Sequence, residues 1–222
     1  MPAKRRILLG AALLVAVPVG AEAGIITIGP FVGSISESWE SFPNYGNPGG
    51  PAHLADPSPV FGGSAEISNP LMAVYEPSSL WVFSLYTSGP AQVADGLRGM
   101  GMNDHSSTTR ITFLTPVTMF GGYWGTVTGG AFPTPNSVAL SFFDTLGAPI
   151  ARDTFTYFRP GRDGVLEWHG WASTVPIASL EYSGDYVVND ALQAEPIPEP
   201  GTSVLLGLGL GALALRRRAG WG

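Results

Sequence analysis

The sequence contains no cysteine, which excludes disulfide staples, thiol catalysis and thiolate zinc sites. Any stability outside the cell then comes from core burial or from a bound ion. Lysine occurs once, at Lys4. Between Gly24 and Ile197 the basic side chains are Arg98, Arg110, Arg152, Arg159 and Arg162, set against fifteen carboxylates, a net charge of −10. A body of this sign has no electrostatic footprint for a polyanion, which argues against nucleic acid as a partner. Histidine is scarce: His53, His105 and His169 are scattered, and none stands in a metal-ligating spacing such as H-E-x-x-H. No serine sits in a G-x-S-x-G elbow, since Gly62-Gly63-Ser64-Ala65-Glu66 has Glu66 where the second glycine belongs. Between the two ends no long apolar run occurs, and no segment there sustains helical periodicity with caps.

Glycine and proline are plentiful instead, at 30 and 20 of 222 residues, while 45% of the chain is hydrophobic. That combination predicts short strands joined by many turns around a real core, in one all-β domain. The remaining positive charge sits at the two ends. Lys4, Arg5 and Arg6 precede an apolar run from Ile7 to Val19 and then Ala21-Glu22-Ala23 before Gly24. These are the three regions of a secretory signal peptide, residues 1–23, cut after Ala23 so that the mature chain begins at Gly24. The run is shorter than the roughly 20 residues a membrane-spanning helix needs.

At the other end Pro198-Glu199-Pro200 is followed by Gly201 and Thr202, an apolar stretch from Val204 to Leu215, and Arg216, Arg217 and Arg218. These residues resemble the PEP-CTERM sorting domain of proteins handled by exosortases in Gram-negative bacteria. The resemblance covers residues 197–222 and implies export, processing by an exosortase-type enzyme, and delivery to the cell surface or the extracellular matrix. The four residues after the arginines, Ala219 to Gly222, depart from the pattern. Physical reasoning runs parallel to the resemblance. A helix from Thr202 to Leu215 would span about 21 Å, short of a hydrocarbon core of roughly 30 Å, so it is a marginal, transient anchor in the inner membrane. Arginines beyond it favour a cytoplasmic C-terminus, leaving the rest of the chain on the outer side. Prolines on both sides of Glu199 keep that backbone extended and open to a processing enzyme.

Within the cargo, residues 24–196, the stretch from Pro43 to Gly63 is dense in Pro and Gly and predicts a long surface loop. Strands are expected at Trp81–Tyr86, Arg110–Phe113, Val117–Trp124, Val138–Phe143, Thr154–Phe158, Val165–Trp171, Ile177–Tyr182 and Tyr186–Val188, with others near Ile25–Ile28 and Trp39–Phe42. The clearest unit is a hairpin: Val138, Leu140 and Phe142 alternate with small or polar residues, Asp144-Thr145-Leu146-Gly147 turns the chain, and alternation resumes at Thr154. So many short strands predict a β-sandwich or jelly roll, flanked by the signal peptide and the short C-terminal helix. The order of motifs from Thr115-Pro116-Val117 through Trp168-His169-Gly170-Trp171 to Asn189-Asp190-Ala191-Leu192 is similar to the β-sandwich cargo of many PEP-CTERM proteins. That likeness implies an outline shared with carbohydrate-binding and lectin-like modules.

Two constellations are candidate sites. Glu40 and Asp190 lie near the start and end of the cargo, where first and last strands pair in a jelly roll, and with backbone carbonyls they would supply oxygens for Ca²⁺. The opposing reading is a pair of solvated carboxylates, and no D-x-D-x-D-G loop is present. Trp124, Trp168 and Trp171 form an aromatic set for a sugar face. Trp168 and Trp171, three apart, point to opposite sides of a regular strand, so one is expected in the core. Acid pairs such as Asp185 and Asp190 could serve a glycosidase, whose chemistry depends on a carboxylate separation that a sequence does not give. The expected function is a non-enzymatic, exported surface or matrix protein, a structural module or one that interacts with polysaccharide or neighbouring envelope material. The alternative is a secreted glycan-active hydrolase with the same tail.

Overall fold

The computed structural model describes residues 24–43, 54–69, 71–76, 93–102, 107–126, 136–157, 166–184 and 187–197. The signal segment, the tail beyond Ile197 and the expected strand Trp81–Tyr86 lie outside them. The described residues form eleven strands: β1 (Ile25–Ile28), β2 (Ile35–Glu37), β3 (Ser58–Val60), β4 (Ala65–Ser68), β5 (Met72–Tyr75), β6 (Gly99–Met102), β7 (Thr108–Thr126), β8 (Asn136–Phe143), β9 (Pro149–Tyr157), β10 (Glu167–Gly184) and β11 (Val187–Pro196). The one helical element among them is a 3₁₀ turn at Phe61–Gly63. No helix of the described residues is long and apolar enough to cross a membrane, and the expected C-terminal helix falls outside them.

All the strands belong to one antiparallel sheet, ordered β5-β6-β11-β7-β10-β8-β9, with β1 on β10, β2 on β11, and β3-β4 on β7. The sheet is built on two long strands. The first half of β7 pairs with β4 and the second half of β10, and that half of β10 also carries β8. The second half of β7 pairs with β11 and the first half of β10, and there β10 also carries β1. Between the halves the register slips, from Ala172 to Ile177 and again to Ser179. There the sheet folds over.

Ring contacts prove the fold-over. Trp124 pairs with Glu167 and Tyr182 with Thr109 across the β7–β10 ladder, so in a flat sheet their side chains would stand far apart. Their ring centroids are 5.1 Å apart. Phe142 and Phe155 of one half likewise reach Trp171 of the other, at 5.4 and 6.2 Å. One continuous sheet thus makes both layers of a sandwich, and the core lies between them: Phe120, Trp124, Val138, Leu140, Phe142, Trp171, Leu180 and Tyr182 are all buried.

The β8–β9 hairpin forms as its alternation predicts, with Val138, Leu140 and Phe142 inward. Asp144 shapes the turn, accepting the N–H groups of Leu146 and Ala148 at 2.8 Å each. Three expectations are corrected. Arg110–Phe113 with Val117–Trp124, and Val165–Trp171 with Ile177–Tyr182, are not four strands but two long bent ones, because Pro116 and Pro176 sit at the bends where ladder donors are dispensable. Trp39–Phe42 is a turn, with Trp39 in the left-handed region at φ 65°. The Pro43–Gly63 loop is shorter than expected, since β3 and the 3₁₀ turn occupy 58–63 and bury Val60 and Phe61.

Candidate functional site

The sandwich brings Glu40 and Asp190 to one loop, residues 93–98, as partners of its backbone. Asp190 Oδ2 accepts the N–H groups of Ala94 and Asp95 at 2.7 and 2.8 Å, and Oδ1 that of Ala191 at 2.6 Å. Glu40 Oε1 accepts those of Leu97 and Arg98 at 2.6 and 2.7 Å. Arg98 returns the contact, its guanidinium donating to the carbonyls of Glu40 and Phe42 and to Glu76. Both carboxylates serve here as acceptors that anchor the loop, with N–H dipoles aimed at the two Asp190 oxygens and at Glu40 Oε1. No group of three or more metal-ligating side chains occurs among the described residues.

Asp190 is fully buried, and burial lifts its pKa to about 6 against the pull of the three N–H groups, with Asp95 adding a smaller push upward. Glu37 uses the same device and escaped the sequence reading. Its two oxygens accept the N–H groups of Trp39 and Phe61, both in left-handed conformations at φ 65° and 54°. A buried carboxylate flanked by aromatic residues that leave the strand pattern was the available signal.

The tryptophans separate as their spacing predicts. Trp171 is buried, its Nε1 donating to Asp153 Oδ2 at 2.7 Å. Trp124 is buried beside it. Neither can meet a ligand, so both leave the expected binding set. Trp168 faces the other way, half-buried on the outer side of the sheet. It stands edge-on to Tyr123 and Phe31, with centroids 5.4 and 5.7 Å away, and its Nε1 donates to the Ile28 carbonyl. Its indole lies on bare backbone: a Cβ at Gly121 would come within 2.7 Å of it and one at Gly170 within 2.8 Å. Residues 29–34 connect β1 to β2 and pin this side, Gly33 and Ser34 donating to the side chains of Gln193 and Glu195.

His169, on the inner side, stacks on Phe155 with centroids 3.7 Å apart, and burial lowers its pKa despite Glu167 and Asp153 nearby. It is held neutral. His53, His105 and Asp185 lie outside the described residues, and Asp190, the other acid of the glycosidase pair, is bound to the loop.

At the C-terminal end β11 stays paired to its last residue, Pro196 opposite Val117. Ile197 then donates its N–H to the Pro116 carbonyl at 2.9 Å. The chain leaves the sheet one residue before Pro198-Glu199-Pro200. Residues 196–218 match the PEP-CTERM protein-sorting motif. The motif marks a protein sorted by an exosortase to the cell surface or exterior, and it takes in Pro198, Glu199, Pro200 and the arginines Arg216, Arg217 and Arg218. Those residues, like Ala21 and Ala23 at the expected signal cleavage, lie outside the described ones, while Gly24 is the first described residue. Comparison with curated proteins finds no match. Among solved structures, a DUF4465 family protein from Bacteroides caccae ATCC 43185 is 11% identical with a TM-score of 0.43, covering 77% of this chain and 99% of that one. The enzymatically active domain of Bacteriophage CBA120 tailspike protein 4 is 12% identical with a TM-score of 0.30, covering 59% of this chain and 19% of that one. Both likenesses are remote.

Proposed function

We propose that the chain is a non-enzymatic surface or matrix protein whose sandwich interacts with extracellular polysaccharide. It crosses the inner membrane by its signal peptide, is held there transiently by the Val204–Leu215 stretch, and is released or handed on when its tail is processed. The observation that carries the polysaccharide reading is the outer-face cluster of Phe31, Tyr123 and Trp168. Sugar rings present apolar C–H faces, and aromatic side chains on a rigid sheet match them at low entropic cost. Affinity electrophoresis of the mature protein through gels containing the producing cell's own polysaccharide tests it. Wild type should be retarded, Trp168→Ala should migrate freely, and incubation should release no reducing ends. Equal mobility of the two proteins contradicts the assignment of Trp168, and new reducing ends favour the glycan-active hydrolase.

A further inference from the structure

The fold line of the sandwich is the end at which the sorting tail leaves, and its surface carries little charge. It is built from Leu114–Pro116 and Ser173–Pro176, the bends of β7 and β10, from the Asp144–Ala148 turn, whose strand partner Phe143 pairs with Ser179, and from Gly62–Ser64, whose Ser64 carbonyl accepts the Leu114 N–H. Gly24 arrives at this end too, its carbonyl accepting the Thr174 N–H. In a body of net charge −10, these segments carry a single ionisable side chain, Asp144, which is occupied by its own turn. They also present two strongly exposed leucines, Leu114 at 69% and Leu146 at 91%.

Reach fixes what this end must meet. Ile197 is hydrogen-bonded to Pro116, the motif's Pro198 follows at once, and only residues 198–203 separate Ile197 from the apolar stretch at Val204. Fully extended, that link covers about 25 Å. An enzyme that grips Pro198-Glu199-Pro200 has no slack chain to draw the substrate away from the domain, so its surface abuts Leu114–Pro116. We propose that this uncharged fold-line face, centred on Leu114 and Leu146, is a docking surface for the membrane-embedded sorting enzyme, and that the folded sheet presents the motif to it at a fixed place. The proposal rests on the reading that the tail is processed at the motif.

The test follows tail removal from the full-length chain in its producing cells by pulse-chase. Leu114→Glu and Leu146→Glu together should slow removal by roughly tenfold, the scale of one apolar anchor removed from a packed interface. Leu97→Glu, at an exposed leucine on the loop that Glu40 holds and away from the fold line, should leave the rate unchanged. Leu114→Ala with Leu146→Ala, which removes the apolar surface without adding charge, should slow removal as well, and a thermal melt of the double variant matching the wild type shows that its cargo is folded. Wild-type speed in the double variant overturns the docking face. So does a slowed double variant that is cut at the wild-type rate once detergent extracts chain and enzyme together, since the lipid surface is then the occupant. Failure of the wild type to lose its tail at all would instead overturn the reading beneath the proposal.

Discussion

Asp190 shows how a single carboxylate sets a pH response. Its ordinary value of 3.8 rises to about 6 in the fold because burial penalises the charge. The folded chain therefore holds this proton more tightly than the unfolded chain. The stability it contributes is complete below pH 3.8 and is lost as pH rises through 6, a swing of up to about 3 kcal/mol. Thermal melts from about pH 4 to 7 should show this fall, and Asp190→Asn should flatten it while weakening the 93–98 loop at every pH. The tryptophans give a second contrast. Trp124→Ala opens a cavity in the shared core and should lose about 3–5 kcal/mol by denaturant unfolding. Trp168→Ala, on the outer side, should lose clearly less. The sequence spacing of Trp168 and Trp171 correctly divided inner from outer face. It held no information on Trp124, whose burial depends on the opposite layer folding over it.

Elements with strict alternation, above all the β8–β9 hairpin, were legible because their inward residues answer one sheet face. Others were hidden for physical reasons. Along β6 the inward Met100 and Met102 alternate with Gly99 and Gly101, and a Cβ at Gly99 would come within 3.0 Å of the Tyr75 hydroxyl. Gly99 leaves room for Tyr75, and the two glycines mask the strand. In β7 and β10 the bends look like strand ends because Pro116 and Pro176 break the alternation. The bulge in β11 is a further hidden feature: register slips between Asp190 and Gln193 around Ala191, which sits at φ 48°. Ala191→Gly relieves that left-handed conformation and should stabilise the fold by about 0.5–1 kcal/mol, net of the extra freedom of glycine when unfolded. Gly33→Ala should do the reverse, since its Cβ would fall 2.4 Å from the Ala194 carbonyl oxygen and lift the 29–34 connection off β11.

Across the whole molecule, charge and chain ends point one way. Basic residues gather in the two terminal segments and the acidic sandwich lies between them. Its first and last described residues both sit at the fold line, bonded to neighbouring bends. The C-terminal sorting motif was legible because composition and order define it. The anchoring of the 93–98 loop by Glu40 and Asp190 was not legible, because which backbone N–H groups a carboxylate accepts depends on the fold. Mass spectrometry of the mature protein, taken from envelope and medium and compared with a Glu199→Ala variant, tests the central claim most directly. The wild-type protein should begin at Gly24 and end near Pro198-Glu199-Pro200, while the variant keeps its tail in the inner membrane; a wild-type protein that retains Val204 to Arg218 would contradict the account.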